Sequence, residues 1–227
     1  MAKQIYLIGG SKGGVGKSLV SMATIDYLSR QDEAVLLIDA DTSNPDVWKT
    51  YKESIGAHLI DLDEADGWIE LVNLCDANPD SVVIVNSAAR NNAGVRAYGK
   101  TLNDTLPELK RKLITLWVIN RQRDSLELLK EYMDAIADTA VHVVRNSYFG
   151  EEKKFELYNS SNLRTLVESR GGLSLTFPDL ADRVSDDLYS KRMSIEKASV
   201  ELPLGNRAEL SRWRYEVSKV IEQVCHE

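Results

Sequence analysis

The stretch that most restricts what this chain can become lies near its N-terminus. Ile5-Tyr6-Leu7-Ile8 is a short apolar run, ended by Gly9-Gly10 and followed by SKGGVGKS at residues 11–18. From Ser18 to Arg30, Leu19, Ala23, Ile25 and Leu28 recur on one side of a helical period. The order is therefore buried strand, glycine-rich loop, amphipathic helix. Gly13, Gly14 and Gly16 let backbone N–H groups converge on one anion, and the helix behind them supplies the positive end of its dipole. In such a loop Lys17 reaches the β- and γ-phosphates and the Ser18 hydroxyl binds Mg²⁺. A strict G-x-x-x-x-G-K-[ST] pattern fails, because Ser11 stands where the first glycine belongs and a second lysine, Lys12, follows it.

The remainder of the chain repeats the alternation. Ala34–Ile38, Val82–Val85, Leu113–Val118, Val141–Val144 and Leu173–Phe177 read as strands, the last stopped by Pro178. Residues 64–76 and Asp124–Ala137 read as helices, the second opening with a capping-box spacing, Asp124-Ser-Leu-Glu127. Near-continuous apolar strands that alternate with helices predict a parallel sheet covered on both faces. The expectation is a single three-layer α/β domain over residues 1–227, with a mostly parallel central sheet and flanking helices.

Composition narrows the function. Apolar residues make up 43% of the chain and charged residues 28%, as in soluble globular proteins. A net charge of −7 argues against a chain built as a whole to coat nucleic acid or an anionic membrane. Cys75 and Cys225 are far apart, without metal-ligand spacing, and read as reduced and structural. No run reaches ~18 apolar residues, so no membrane-spanning helix is expected. MAKQIYLIGG is too briefly apolar for a secretion signal, which predicts a cytoplasmic protein.

KGGVGKS, residues 12–18, resembles the deviant Walker A loop of the ParA/MinD family of ATPases. The resemblance runs along most of the chain and implies a P-loop NTPase fold with ATP and Mg²⁺ as ligands. It implies that Gly13, Gly14, Val15, Gly16, Lys17, Ser18 and Leu19 bind the nucleotide. It also implies that Lys12 reaches across a nucleotide-sandwich homodimer to the partner's ATP, so that occupancy and dimerisation are coupled. LLIDADTSNPD, residues 36–46, is similar to the family's second strand and switch I. There Asp39 lies near the metal and Asp41 positions the attacking water. Two carboxylates at i, i+2 at a strand's carboxyl end point to the side where open α/β sheets bind ligands. Turn formation is the plainer reading of both, since Thr-Ser-Asn-Pro follows.

VVIVNSAAR, residues 82–90, occupies the place of the family's Walker B strand and switch II, but departs from it. Asn86, Ala88 and Arg90 stand where the family carries aspartate, proline and glycine. An Asn86 carbonyl attracts Mg²⁺ less than a carboxylate does. More of the metal site then falls to Ser18 and Asp41, and hydrolysis is slow or dependent on a partner. Arg90 could contact phosphate, a neighbouring subunit or solvent. Asn146 corresponds to the family's adenine-reading asparagine, whose amide can donate and accept at once. Pro178 and Asp179 match the segment that lines the base pocket. The chain is most similar to the small plasmid-encoded members, the StbB-like group among them.

The resemblance thus implies an ATP-driven switch acting with a protein partner, a DNA-binding adaptor or a cargo, in plasmid partition, stability or mobilisation. Direct DNA contact has weak support. Lys110-Arg111-Lys112 is the one basic triplet, and residues 207–227 carry four basic and four acidic side chains. Leu210, Trp213, Val217, Val220, Ile221 and Val224 recur at helical spacing, which favours a helix packed on the core over a membrane-surface or partner-facing one. Trp48 and Trp68 read as core residues, with contact to a partner as the alternative. Two other functions stay open: a metabolic P-loop enzyme of the dethiobiotin synthetase type with residues 86–92 as substrate pocket, and an ATP-binding scaffold with little turnover, suggested by Asn86.

Overall fold

The structure is a computed structural model that describes residues 3–10, 13–89, 92–136 and 139–225. Its strands are β1 (Gln4–Gly10), β2 (Val35–Asp39), β3 (Gly56–Leu59), β4 (Val82–Asn86), β5 (Lys112–Ile119), β6 (Ala140–Asn146) and β7 (Ser174–Phe177). They form one 7-stranded sheet in the order β3-β2-β4-β1-β5-β6-β7, and each neighbouring pair is parallel. The helices are α1 (Lys17–Ser29), α2 (Asp46–Tyr51), α3 (Ala65–Ala77), α4 (Asn92–Leu109) and α5 (Arg123–Ala135) in the first part of the chain. They continue with α6 (Glu156–Asn159), α7 (Asn162–Ser169), α8 (Asp182–Ser190), α9 (Ile195–Glu201) and α10 (Leu204–Cys225).

Alternate residues along each strand feed two separate cores. Tyr6, Ile8, Leu37, Ile84, Leu116 and Val144 face the layer built by α1, α2, α8, α9 and α10. Ile5, Leu7, Ile38, Val85, Trp117 and Val143 face the layer built by α3 to α7. β2 and β4 are buried at every position, which is why both read as unbroken apolar runs. The sheet is wound in one direction from β1 to β3 and in the other from β5 to β7. The reversal falls beside β1, and open α/β sheets bind ligands at such a switch point.

α10 packs on the core, as its apolar spacing predicts, and it ties two distant elements together. Trp213 is fully buried, meets Phe177 edge-on with ring centroids 5.7 Å apart, and donates from Nε1 to the Pro178 carbonyl at 2.9 Å. The adjacent Arg214 donates to both carboxylate oxygens of Asp26 on α1, at 3.0 and 2.7 Å. The loop after β7 and the helix after β1 are thus fixed to one element.

Several local expectations change. β3 and α4 both form where no element was read. β3 is a short edge strand, half exposed, and α4 contains Gly94, Gly99 and Pro107. The capping box at Asp124 does not form. α5 begins one residue earlier, and Ser125 Oγ donates instead to Asn120 Oδ1 at 2.7 Å. Arg111 is not part of a basic surface. It is buried and donates to the carbonyls of Ser81, Cys75 and Asn78, which closes the C-terminal end of α3. Trp68 is a core residue that donates to the Leu62 carbonyl at 2.9 Å, whereas Trp48 is half-buried beneath Lys52. Cys75 and Cys225 are free thiols.

Candidate functional site

β1 ends at Gly10 and the glycine loop delivers the chain into α1. Gly14 (φ 79°) and Gly16 (φ 103°) are left-handed, a conformation that side chains other than glycine seldom adopt. A Cβ on Gly16 would also collide with the Asn146 amide. Gly16 caps α1 without a side-chain hydrogen bond, and the 13-residue helix behind it turns its positive dipole end toward the loop. Lys17, the first residue of that helix, is buried. Burial lowers its ammonium to about 8, against the pull of the Asp41 carboxylate.

A cleft of about 440 Å³ opens over this loop. It brings together Gly13, Gly14, Gly16, Lys17 and Ser18 with Asp41, Ser43 and Asn44 from the end of β2, Ala88 and Ala89 after β4, and Tyr189 of α8. Asp41 is held as a turn former: its Oδ1 accepts from Ser43 Oγ at 2.7 Å and from Asn44 N at 3.2 Å. The turn reading and the cleft reading of Asp41 therefore coexist. Ser18 and Asp41 present a hydroxyl and a carboxylate to the same space. That donor set fits a hard divalent cation, which takes oxygen ligands and keeps several waters.

Asp39 and Asn86 lie behind the cleft and are paired in register across β2 and β4. Asn86 Nδ2 donates to Asp39 Oδ1 at 2.9 Å, and Asn86 Oδ1 accepts from Ser21 Oγ of α1 at 2.9 Å. Asp39 also accepts from Asp41 N at 3.1 Å and from Trp48 N at 2.9 Å. Burial raises the Asp39 carboxyl above its ordinary range, while these three donors act in the other direction. The chain Ser21–Asn86–Asp39 thus joins the first helix to the backbone of Asp41. Ser21 carried no signal in the sequence, because its partner lies 65 residues away.

A second cleft, of about 150 Å³, adjoins the first on the far side of the loop. Leu19, Asn146, Tyr148, Pro178 and Asp179 line it, together with α8 residues. Asn146 Nδ2 donates to the Val15 carbonyl at 2.9 Å and its Oδ1 accepts from Tyr148 N at 3.1 Å, so this amide clamps the loop to the end of β6. Val15 itself is buried under the loop. Burial, then the neighbouring Asp182, raise the Asp179 carboxyl. Tyr148 and Tyr189 went unnoticed in the sequence. Lys12, expected to reach a partner's phosphates, and Arg90, with phosphate, a neighbouring subunit and solvent all open to it, lie outside the described residues.

A family model described as the CobQ/CobB/MinD/ParA nucleotide binding domain matches residues 6–153. Protein MobD of Acidithiobacillus ferrooxidans is 76% identical over 227 residues, which is 100% of each chain. The MinD cell division protein of Aquifex aeolicus superposes with a TM-score of 0.52 at 14% identity, over 92% of this chain and 96% of that one. The cell division protein FtsY of Thermotoga maritima gives 0.53 at 19% identity, over 76% of this chain and 60% of that one. At these identities the two structures share the fold. Among the described residues no helix is long and apolar enough to cross a membrane.

Proposed function

The chain belongs to the CobQ/CobB/MinD/ParA nucleotide-binding family, and from that premise we propose that it is an ATP-driven switch that dimerises around ATP. One observation carries the proposal. Lys17, Ser18 and Asp41, from two different strand ends, share one cleft that continues into a base-sized cleft beside Asn146 and Pro178. Phosphates occupy the first and adenine the second. The reaction is in-line attack of water on the γ-phosphoryl group. Asp41 orients the water, and its backbone is held by Asp39. Lys17 and the N-terminus of α1 stabilise charge that grows on the phosphate oxygens. Ser18 and Asp41, which line the same cleft, would hold Mg²⁺, and the ion would neutralise part of the same charge.

Lys12 reaches the partner's phosphates, and the dimer is the form that a protein adaptor or cargo recognises. The name of the 76% identical relative, MobD, is in keeping with a role in plasmid mobilisation or maintenance. Turnover is slow, because Asn86 contributes no charge and both ends of its amide are engaged by Ser21 and Asp39. That same observation favours a second reading, an ATP-dependent scaffold that hardly hydrolyses.

Light scattering with ADP, then with ATP and Mg²⁺, on the wild type and Lys12→Ala tests the switch. A doubling of mass with ATP, lost in Lys12→Ala while nucleotide still binds, supports it. A wild type that stays monomeric with ATP bound removes it. Single-turnover release of phosphate separates the switch from the scaffold.

A further inference from the structure

The phosphate-side cleft and the base-side cleft share three walls among the described residues: Gly14, Gly16 and Tyr189. The two glycines offer only backbone. A single molecule that fills both clefts must therefore pass between the loop and the Tyr189 ring. In a nucleotide the part that joins phosphates to base is the ribose. We infer that Tyr189 is the ribose-binding residue of this site, its ring lying along one face of the sugar. The inference rests on the nucleotide reading above and adds to it a contact outside the phosphate loop and the base-pocket segment.

The local structure suits that task. Tyr189 is 37% exposed, so part of its ring is left open toward the clefts. Its helix is held firmly from behind. Val184 and Leu188 are buried, and Asp187 accepts from Asn206 Nδ2 at 2.8 Å and pairs with Lys191 at 2.7 Å. A ring presented by an anchored helix loses little freedom when a ligand arrives. The aromatic body covers the C–H face of a sugar, and the hydroxyl remains a polar tip. Burial, with the Asp46 carboxylate facing it, pushes the phenol up to about 12, so the hydroxyl is a neutral donor near neutrality. Asp46 opens α2, directly after the turn that holds Asp41. The same side chain thus faces the ligand passage and the segment that follows the catalytic turn.

Calorimetric titration of ADP and of pyrophosphate into the full chain tests the assignment, with the wild type, Tyr189→Phe and Tyr189→Ser. Tyr189→Ser is expected to weaken ADP about tenfold and to leave pyrophosphate within about twofold, while Tyr189→Phe keeps ADP within about threefold. Three results overturn the ring contact. They are a serine variant that binds ADP like the wild type, one that loses pyrophosphate in equal proportion, and a phenylalanine variant that loses as much as serine. A wild type that binds neither ADP nor ATP overturns the nucleotide reading and this inference with it. A wild type that binds ADP while indifferent to residue 189 overturns the inference alone. Should Tyr189→Ser not fold, nuclear Overhauser transfer from the Tyr189 ring to the ribose H1′ of ADP bound to the wild type reads the same contact. Transfer is expected, and its absence overturns the assignment.

Discussion

Asn86 donates a 2.9 Å hydrogen bond to Asp39 across the boundary between β4 and β2, and both side chains are sealed from solvent. A neutral amide here helps to satisfy a buried carboxyl group, because each oxygen of Asp39 meets an N–H. Asn86→Asp would place a second carboxyl against the first. Two such groups cannot both ionise in a buried pair, so one proton is held well above the ordinary carboxylate range. A carboxyl raised in the folded state costs stability above its unfolded value, and that cost fades as pH falls. The variant should lose about 2–4 kcal/mol at pH 8 and regain part of it at pH 5.5. Urea denaturation at both values reads the effect, and a variant as stable as wild type at pH 8 would contradict it.

Lys17 makes ligand binding depend on pH. In the free chain its ammonium discharges as pH rises through about 8, well below the ordinary lysine range, because burial disfavours the charge. A bound phosphate favours the charged form and raises the value again. ADP affinity, measured without metal, should therefore fall about tenfold for each unit above pH 8. Lys17→Arg does not titrate in this range, and its profile should be flat. A wild-type profile as flat as that of the arginine variant would rule out the mechanism.

Arg111 is a structural plug. Arg111→Ala leaves the carbonyls of Cys75, Asn78 and Ser81 without their donor. The expected loss is about 2–3 kcal/mol, from several hydrogen bonds to a charged group in a buried site. Lys110→Ala, at an exposed position, should stay within about 0.5 kcal/mol. Thermal unfolding of the two variants separates the roles, and equal shifts would show that the triplet acts as one surface.

Trp213→Phe keeps most of the buried ring but removes the donor to the Pro178 carbonyl. It should cost about 1–2 kcal/mol in denaturant unfolding. It should also weaken ADP more than pyrophosphate, because Pro178 lines only the base-side cleft. Equal weakening of both ligands would place its effect on the whole fold.

The parts of this fold that could be read from sequence are those where one local pattern suffices. β1, β2, β4, β5 and β6 are buried on both faces, so runs rich in Ile, Leu and Val betray them. The loop announces itself because Gly14 and Gly16 must be left-handed and must stand before a helix. β3 escaped notice because an edge strand needs no apolar run, and Gly-Ala-His-Leu offers none. α4 escaped because Gly94, Gly99 and Pro107 are loop signals that packing of Val95, Leu102 and Leu106 overrides. At the site, the spacing of the loop points to Lys17 and Ser18, and the resemblance to switch I points to Asp41. Neither points to Ser21 or Tyr189, since only the folded chain brings α1 against β4 and α8 over the loop.

The attachment of α10 to both Asp26 and Pro178 has a consequence for the order in which the molecule is made. A ribosome that has just released α9 has already emitted the glycine loop, Asp41, Asn146 and Tyr189. The wall carrying Pro178 still lacks its anchor at that moment. Competence to hold a base should therefore arrive only after α9 has emerged, and abruptly, when Trp213 and Arg214 leave the exit tunnel together.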